Sequence, residues 1–276
     1  MKNREISKIG SILKYIVLIV GAVIMLLPFL WMLSTAFKNS DVVFVFPPEF
    51  IPKEITMENF KKVSEAFPIY KFFFNSTFVA VVNTFGQLLI SSMAAYAFAR
   101  IEFKGREVLF LLYLGTMMVP GQVTLTPLFI LMRYLGWANT YKALILPGMF
   151  TAFGTFLMRQ AFLGIPKSLE EAAFIDGAGH LRVFIKIILP LAKPTLATLT
   201  VFSFMASWNN FLWPLIITSD ISKMTLPLGL ASLQGRWETN WNVLMAGTLI
   251  NILPMLVVYL VAQKHIIKGL SHTGIK

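Results

Sequence analysis

Six long runs of apolar residues dominate the chain, and polar residues are concentrated in the shorter segments between them. The runs lie at about 15–36, 72–99, 108–132, 141–162, 194–217 and 244–263. A bilayer core of about 30 Å is crossed by roughly 20 apolar residues in helical form. The runs are continuous and lack the alternation typical of a barrel strand, so each predicts a helix. The pattern therefore predicts an all-α membrane protein with six transmembrane helices.

The positions of Lys and Arg predict how these spans are oriented. Basic residues in short flanking segments are retained on the cytoplasmic side. Most of the 24 basic residues fall in segments that lie inside if both termini are cytoplasmic, including the longest inner loop, about 163–193. The longest outer segment, about 37–71, balances its lysines with acidic residues. We expect a multi-pass protein with both termini inside.

Composition supports the membrane assignment and excludes several other classes. Hydrophobic residues make up 57% of the chain, charged residues 13%, and the mean hydropathy is +0.72, which is far from a soluble domain. The net charge of +11 is spread over membrane-flanking segments, so we expect no nucleic-acid partner. The absence of cysteine excludes disulfides, thiolate ligands and a lipidated cysteine. The first run has no clear cleavage site, so we expect it to remain as an anchor.

The pattern divides the chain into three parts. Residues 1–70 hold the first span and an outer loop, 71–264 hold a core of five spans, and 265–276 form a cytoplasmic tail. A second outer segment, about 218–243, is polar and rich in turn residues, so it is free to contact something outside the membrane.

The inner loop predicts two short helices. Ser168 followed by Glu171 matches a capping box, so a first helix should begin after Ser168 and stop at Gly177. A second is expected over His180–Ile188, before Pro190 and Pro194 turn the chain into the next span. We expect one face of it to be apolar, with Leu181, Phe184, Ile185 and Ile188.

The first of these short helices has two interpretations. Ala172 and Ala173 make it thin enough to insert into a groove, with Glu171 and Asp176 available for polar contacts. The alternative is an interfacial hairpin in which Glu171 only satisfies its own backbone.

Polar side chains inside the apolar runs are candidates for a solute path. Asn83, Gln87 and Ser91 form a stripe at a spacing of four residues on the second span, which should face a cavity or a neighbouring helix. Hydrogen bonding between helices is the alternative. In the fifth run, flat indole faces combine with amide groups, the two features that suit a sugar; the residues are Trp208, Asn209, Asn210 and Trp213. An interfacial aromatic belt is the competing account of the two tryptophans.

Enzymatic chemistry finds little support. His180, His265 and His272 lie in charged or terminal segments without metal-ligand spacing, so we predict no metal site. No Gly-x-x-x-x-Gly-Lys-Ser/Thr motif occurs, so ATP would be hydrolysed elsewhere. The apolar runs also lack carboxylates, which weakens but leaves open a self-sufficient proton-coupled carrier.

A longer motif in the inner loop gives a family resemblance. Glu-Ala-Ala, three residues, Gly, nine residues and Ile-x-Leu-Pro resembles the EAA signature of binding-protein-dependent ABC transporter permeases. It stands here as Glu171-Ala172-Ala173, Gly177, Ile187 and Leu189-Pro190. Residues 94–100 and 208–214 are similar to the family's pattern at those places. Residues 244–247, 253–254 and 263–270 are similar to the carbohydrate branch, specifically the smaller maltose-type permease, a choice that 208–214 also supports, whereas 271–276 depart from that family's usual ending.

The resemblance implies a type I ABC importer permease fold that forms half of a sugar pore. It implies that Glu171, Ala172, Ala173, Asp176 and Gly177 form a cytoplasmic coupling helix seated on an ATPase subunit, with Ser168, Leu189 and Pro190 shaping the loop. The expected partners are a second permease that forms a heterodimer with this chain, an ATPase dimer that carries ATP and Mg, an extracytoplasmic sugar-binding protein and the lipid bilayer. The location would be a bacterial or archaeal cytoplasmic membrane. This chain would bind no cofactor. A permease for a non-sugar solute is the nearest alternative.

Overall fold

The computed structural model describes residues 2–39, 46, 49–235 and 239–271, with side chains described from residue 13 to residue 263. Pro47, Pro48 and Arg236, which the sequence places in the outer segments, lie outside this range, as do residues 272–276 of the predicted tail. In the described part of the chain the regular elements are helical, apart from one isolated bridge between Gln234 and Thr239.

The helices that include the long apolar runs are the following: α1 Lys2–Ala36, α3 Ile69–Arg100, α4 Arg106–Gly115, α5 Gly121–Tyr134, α6 Tyr141–Ile145, α7 Ala152–Leu163, α11 Lys193–Trp208, α12 Leu212–Ile217 and α14 Trp241–Ser271. Shorter helices lie between them: α2 Glu58–Ala66, α8 Ser168–Ile175, α9 His180–Val183, α10 Leu189–Leu191 and α13 Leu226–Ala231. Among the described residues, four helical segments could cross a membrane by length and composition, or six if two bent pairs each count as one span.

The third predicted span, 108–132, is not one straight helix. Arg106–Met118 and Gly121–Tyr134 meet at 99°. Pro120 has no N–H to continue the helix, and the preceding Val119 is extended, the conformation that a residue before proline prefers. The sequence prediction of a continuous helix was wrong at this point because it did not weigh the proline.

The fifth predicted run, 194–217, is also interrupted. Helix α11 ends at Trp208, and α12 begins at Leu212, with the Asn210 Oδ1 accepting a hydrogen bond from the Trp213 N–H at 3.4 Å. Asn210 lies one residue before Phe211, the N-cap position of α12, so its side chain contacts the first turn from outside the helix. At its other end, α11 meets the segment His180–Leu191 at 80°, where Pro190 and Pro194 lie.

By contacts between Cα atoms, the chain separates into two units: residues 1–69 with 230–252, and residues 70–229 with 253–276. In the first unit, two buried amides bind the carbonyls that end α1. Asn59 Nδ2 donates to Ala36 O at 2.9 Å, and Asn242 Nδ2 donates to Lys38 O at 2.7 Å. Lys38 is buried, its Nζ donates to Glu49 O and lies 4.2 Å from the centre of the Trp31 ring, and burial lowers its pKa.

The second unit contains two apolar clusters. One is built on α3, α7 and the segment from α9 to α11; its fully buried members are Ala95, Met158, Phe162, Val183 and Ile188. The other joins α3, α5, α6 and α12, where the Trp213 indole N–H donates to Ala143 O at 2.8 Å. The first cluster supports the inner loop, and the second supports a polar cavity.

Candidate functional site

Helix α8 contains the acidic and alanine residues of the inner loop, and its start differs from the prediction. The helix begins at Ser168 itself, with Lys167 at the N-cap position, and no side chain caps it. The predicted capping box between Ser168 and Glu171 is therefore not formed. Pro166, immediately before Lys167, places the start of the helix one residue earlier than the prediction.

The end of α8 agrees with the sequence. Gly177 has a φ of 79°, in the left-handed region. Its N–H donates to Phe174 O at 3.0 Å, and the Ala178 N–H donates to Ala173 O at 2.9 Å. This pair of bonds is the Schellman motif, in which glycine reverses the chain at low conformational cost.

Helix α8 has an exposed face and a packed face. Glu171, Ala172, Asp176 and Gly177 are exposed, and so is Ile175, at 86%. Ala173, which we predicted to belong with the docking residues, packs instead against the apolar cluster beneath the loop. An exposed strip of charged, small and apolar side chains on a supported helix can be covered by another protein.

The packed face of α8 carries a buried charge that the sequence analysis missed. Glu170 is only 5% exposed, and its Oε1 lies 2.7 Å from Arg100 Nε. The N–H does not point at the oxygen, so the contact is an ion pair without an aligned hydrogen bond. Burial raises the pKa of the Glu170 carboxyl, while the charges of Arg100, Lys167 and His180 oppose that rise.

Arg100 also holds the end of α7. Its Nη2 donates to Phe162 O and to Ile165 O, each at 2.6 Å. A second arginine at this end of the unit, Arg159, donates from Nη2 to both carboxylate oxygens of Glu107, at 2.8 and 2.9 Å. The inner loop is thus attached to the helices above it by charged contacts as well as by apolar packing.

The segment after α8 is wider than an α-helix. Residues Phe184–Ile188 form a π-helix between α9 and α10. Val183, Phe184 and Ile188 are buried, whereas Leu181 and Ile185 are 70% and 49% exposed. The predicted apolar face was therefore only partly correct: Phe184 and Ile188 are buried as predicted, but Val183 is buried with them in place of Leu181 and Ile185. Leu189 packs against the apolar cluster, and Pro190 lies in the first turn of α10.

A polar cavity of about 270 Å³ lies within the second unit. It brings together four of the predicted path residues, namely Asn83, Gln87, Asn210 and Trp213, with Thr151, Ser203, Ser207 and Thr225. The amides also bond to the helix opposite: Asn83 Nδ2 to Ile145 O at 3.1 Å and Gln87 Nε2 to Gly148 O at 3.2 Å. Both interpretations of this stripe thus describe part of the geometry.

The other predicted path residues lie outside the cavity lining. Trp208 is 1% exposed and stacks on Phe204 with ring centres 5.6 Å apart. Asn209 is exposed, and Ser91 is fully buried. Ser207 and Asn210, on either side of Trp208 and Asn209, line the cavity.

The described residues contain no cluster of His, Asp and Glu suited to a metal ion. His180 lies against two aromatic residues instead: its Nδ1 is 3.3 Å from the Tyr96 hydroxyl, and its ring centre is 5.0 Å from that of Phe174. The side chains of His265 and His272 are outside the described range.

The chain is similar to known membrane components of transport systems. Residues 87–271 match the family described as binding-protein-dependent transport system inner membrane component. The chain is 38% identical over 244 residues to the arabinooligosaccharides transport system permease protein AraQ of Halalkalibacterium halodurans, covering 88% of this chain and 86% of that one. It is 37% identical over 277 residues to the trehalose/maltose transport system permease protein MalG of Thermococcus litoralis, covering 96% and 98%.

A solved structure gives the same result for the fold. A chain from the crystal structure of a bacterial ABC transporter involved in the import of the acidic polysaccharide alginate superposes with a TM-score of 0.83 at 27% identity. The match covers 94% of this chain and 97% of the other.

Proposed function

Because this chain belongs to the family of inner membrane components of binding-protein-dependent transport systems, we propose that it forms half of the pore of an ATP-driven carbohydrate importer. The names of two relatives and the structural neighbour all refer to oligo- or polysaccharides or disaccharides. The residues that line the cavity include asparagine, glutamine, serine, threonine and tryptophan, residue types that suit the hydroxyls and apolar faces of a sugar. Family membership favours this function over a self-sufficient carrier.

The partners follow from the type of transport system. A second permease would complete the pore, an extracytoplasmic binding protein would deliver the solute, and an ATPase dimer would hold ATP and Mg. Both termini and the inner loop would lie in the cytoplasm. Closure of the ATPase would displace the coupling helices and turn the pore outward, a rigid-body change between two states.

The exposed strip on α8 is the single observation that best supports an ATPase-docking role. Glu171 and Ile175 are directed away from the packed face that holds Glu170. A docking surface needs accessible anchors on a rigid support, and α8 has both. Docking would be made by Glu171, Ala172 and Asp176, with Gly177 shaping the end of the helix.

A charge reversal tests the docking role. Glu171→Lys should reduce co-purification of the ATPase and reduce sugar uptake by about tenfold or more, because a reversed charge in an interface opposes its partner. Glu102→Lys is the matched control, since Glu102 is also an exposed glutamate that follows α3. Wild-type complex yield and uptake for Glu171→Lys would reject the docking role.

A further inference from the structure

Helix α8 is joined to the membrane helices by a contact that the docking role does not explain. Arg100 is the last residue of α3, and it contacts Glu170 of α8 together with the carbonyls of Phe162 and Ile165 at the end of α7. The side chains of Arg100 and Glu170 are 4% and 7% exposed. One guanidinium therefore connects three segments of the chain in a site shielded from water.

The Arg100–Glu170 contact is hard to break because both of its charges are buried. Moving two charges out of water is unfavourable, and removing one partner leaves the other charge uncompensated. The Arg100 guanidinium also lies at the carboxyl end of α7, where the helix dipole and free carbonyls favour a cation. Glu170 can leave Arg100 only by exposing or neutralising a charge, so α8 is held in one position relative to α3.

Helix α3 continues from this contact to the cavity. It is unbroken from Ile69 to Arg100, and the amides of Asn83 and Gln87 on the same helix line the cavity. Gln87 and Arg100 are about 20 Å apart along the helix axis at 1.5 Å per residue. A displacement of Arg100 is therefore transmitted through a rigid element to the cavity wall.

We propose that the Arg100–Glu170 pair is the link that carries a displacement of α8 into α3, which makes both side chains positioning residues for transport. The inference rests on the docking role proposed for α8 and adds the route from the docked helix to the pore. Arg159 and Glu107 provide the internal comparison. They form a bidentate pair at the same end of the unit, at 2.8 and 2.9 Å, but Glu107 is 57% exposed and the pair joins α4 to α7.

The test compares Glu170→Gln with Glu107→Gln in the complete transporter reconstituted in liposomes. For Glu170→Gln we expect normal ATPase co-purification and continued ATP hydrolysis, but about tenfold less sugar uptake per ATP, within the range by which networks of contacts change coupling. Glu107→Gln should keep the wild-type ratio of sugar uptake to ATP hydrolysis. The same ratio in Glu170→Gln as in wild type would overturn the proposal.

A double variant separates the link from stability. Arg100→Met with Glu170→Met removes both buried charges, a replacement that is often neutral for folding, yet it removes the bonds to the α7 carbonyls. We expect a folded complex with a low uptake per ATP. Wild-type coupling in the double variant would overturn the proposal, and so would failure of the double variant to fold, because the pair would then act through stability alone.

A measurement of the distance between α8 and the residues just beyond α3 tests the link directly. The chain has no cysteine, so spin labels can be placed at Leu169→Cys, an exposed residue of α8 outside the docking set, and at Lys104→Cys beyond α3. The distribution of distances between the two labels should be narrow with and without ATP in the otherwise wild-type protein, and it should be broad in Glu170→Gln. An unchanged distribution would reject the link. Retention of the ATPase by Glu171→Lys would instead reject the docking role, so the two failures are distinguishable.

Discussion

Two buried asparagines satisfy the carbonyl groups that end the first helix. Asn59 donates to Ala36 O and Lys38 O at 2.9 and 2.8 Å. Asn242 donates to Thr35 O and Lys38 O at 3.2 and 2.7 Å. Both side chains are 2% exposed, so these carbonyls have little access to other donors. The last carbonyls of any helix need such partners, and here α2 and α14 supply them.

Removing one of these amides should therefore destabilise the first unit. Asn242→Ala removes the hydrogen bonds to Thr35 O and Lys38 O, each worth about 0.5–1.5 kcal/mol. The thermal midpoint measured in detergent should fall, whereas Lys61→Ala, an exposed residue of α2, should leave it unchanged. Equal midpoints for the two variants would show that the carbonyls find other donors.

Gly148 keeps the cavity open next to α3. A Cβ atom at this position would lie 2.1 Å from Asn83 Nδ2, which itself donates to Ile145 O. The carbonyl of Gly148 accepts from Gln87. The glycine thus allows both amides to approach the backbone of the opposite helix.

Gly148→Ala should displace Asn83 and narrow the cavity. We expect a loss of about 1–3 kcal/mol from overpacking and a marked fall in sugar uptake, measured in cells with matched protein levels. Gly121→Ala is the control, because a Cβ atom there meets nothing within 4 Å. If uptake survives Gly148→Ala unchanged, the solute does not pass this wall of the cavity.

At the scale of elements, the sequence predicted where helices occur better than where they break. The apolar runs gave α1, α3 and the long part of α14 because lipid requires continuous backbone hydrogen bonding. The break before Gly121 depends on Pro120, and that after Trp208 on two asparagines; each is a local signal inside a long apolar run. Glu170 was missed because its pairing with Arg100 joins residues 70 positions apart, which no local pattern in the sequence shows.

The glycine that ends α8 gives a prediction at this scale. Gly177→Ala should weaken the end of the helix by about 1–2 kcal/mol, because a side chain disfavours the left-handed conformation. Space is not limiting, since a Cβ atom would meet nothing within 4 Å. Uptake and the thermal midpoint should both fall. Gly177→Asn should be milder, because asparagine adopts this conformation more readily.

Gly179→Ala is the control within the same loop. A Cβ atom at Gly179 is equally free of contacts, but its φ of −81° suits any residue. A wild-type result for Gly179→Ala with a defect for Gly177→Ala would assign the effect to backbone conformation. Equal effects of the two substitutions would assign it to the loss of a smooth surface for the ATPase.

At the scale of the whole molecule, the distribution of basic residues predicts how the spans are oriented in the membrane. Basic residues that flank the spans stay in the cytoplasm, and they are concentrated on the side of α8. The outer segment that contains α2 instead pairs its charges: Lys62 Nζ lies 3.0 Å from Glu58 Oε1, and Lys53 Nζ lies 2.7 Å from Glu49 Oε1. The excess of Lys and Arg in the segments on the side of α8 predicts that α8 is inside and α2 outside.

Single cysteines test this orientation without interference, because the natural chain has none. In intact cells, a membrane-impermeant maleimide should label Lys61→Cys on α2, whose lysine side chain is 76% exposed. It should label Ala172→Cys on α8 only after the membrane is opened, and only where the ATPase has been stripped away, because the docked subunit would cover that face. The cysteine-free parent controls for background. Labelling of Ala172→Cys in intact cells would invert the orientation, and with it both the docking role of α8 and the direction in which the Arg100–Glu170 link receives its displacement.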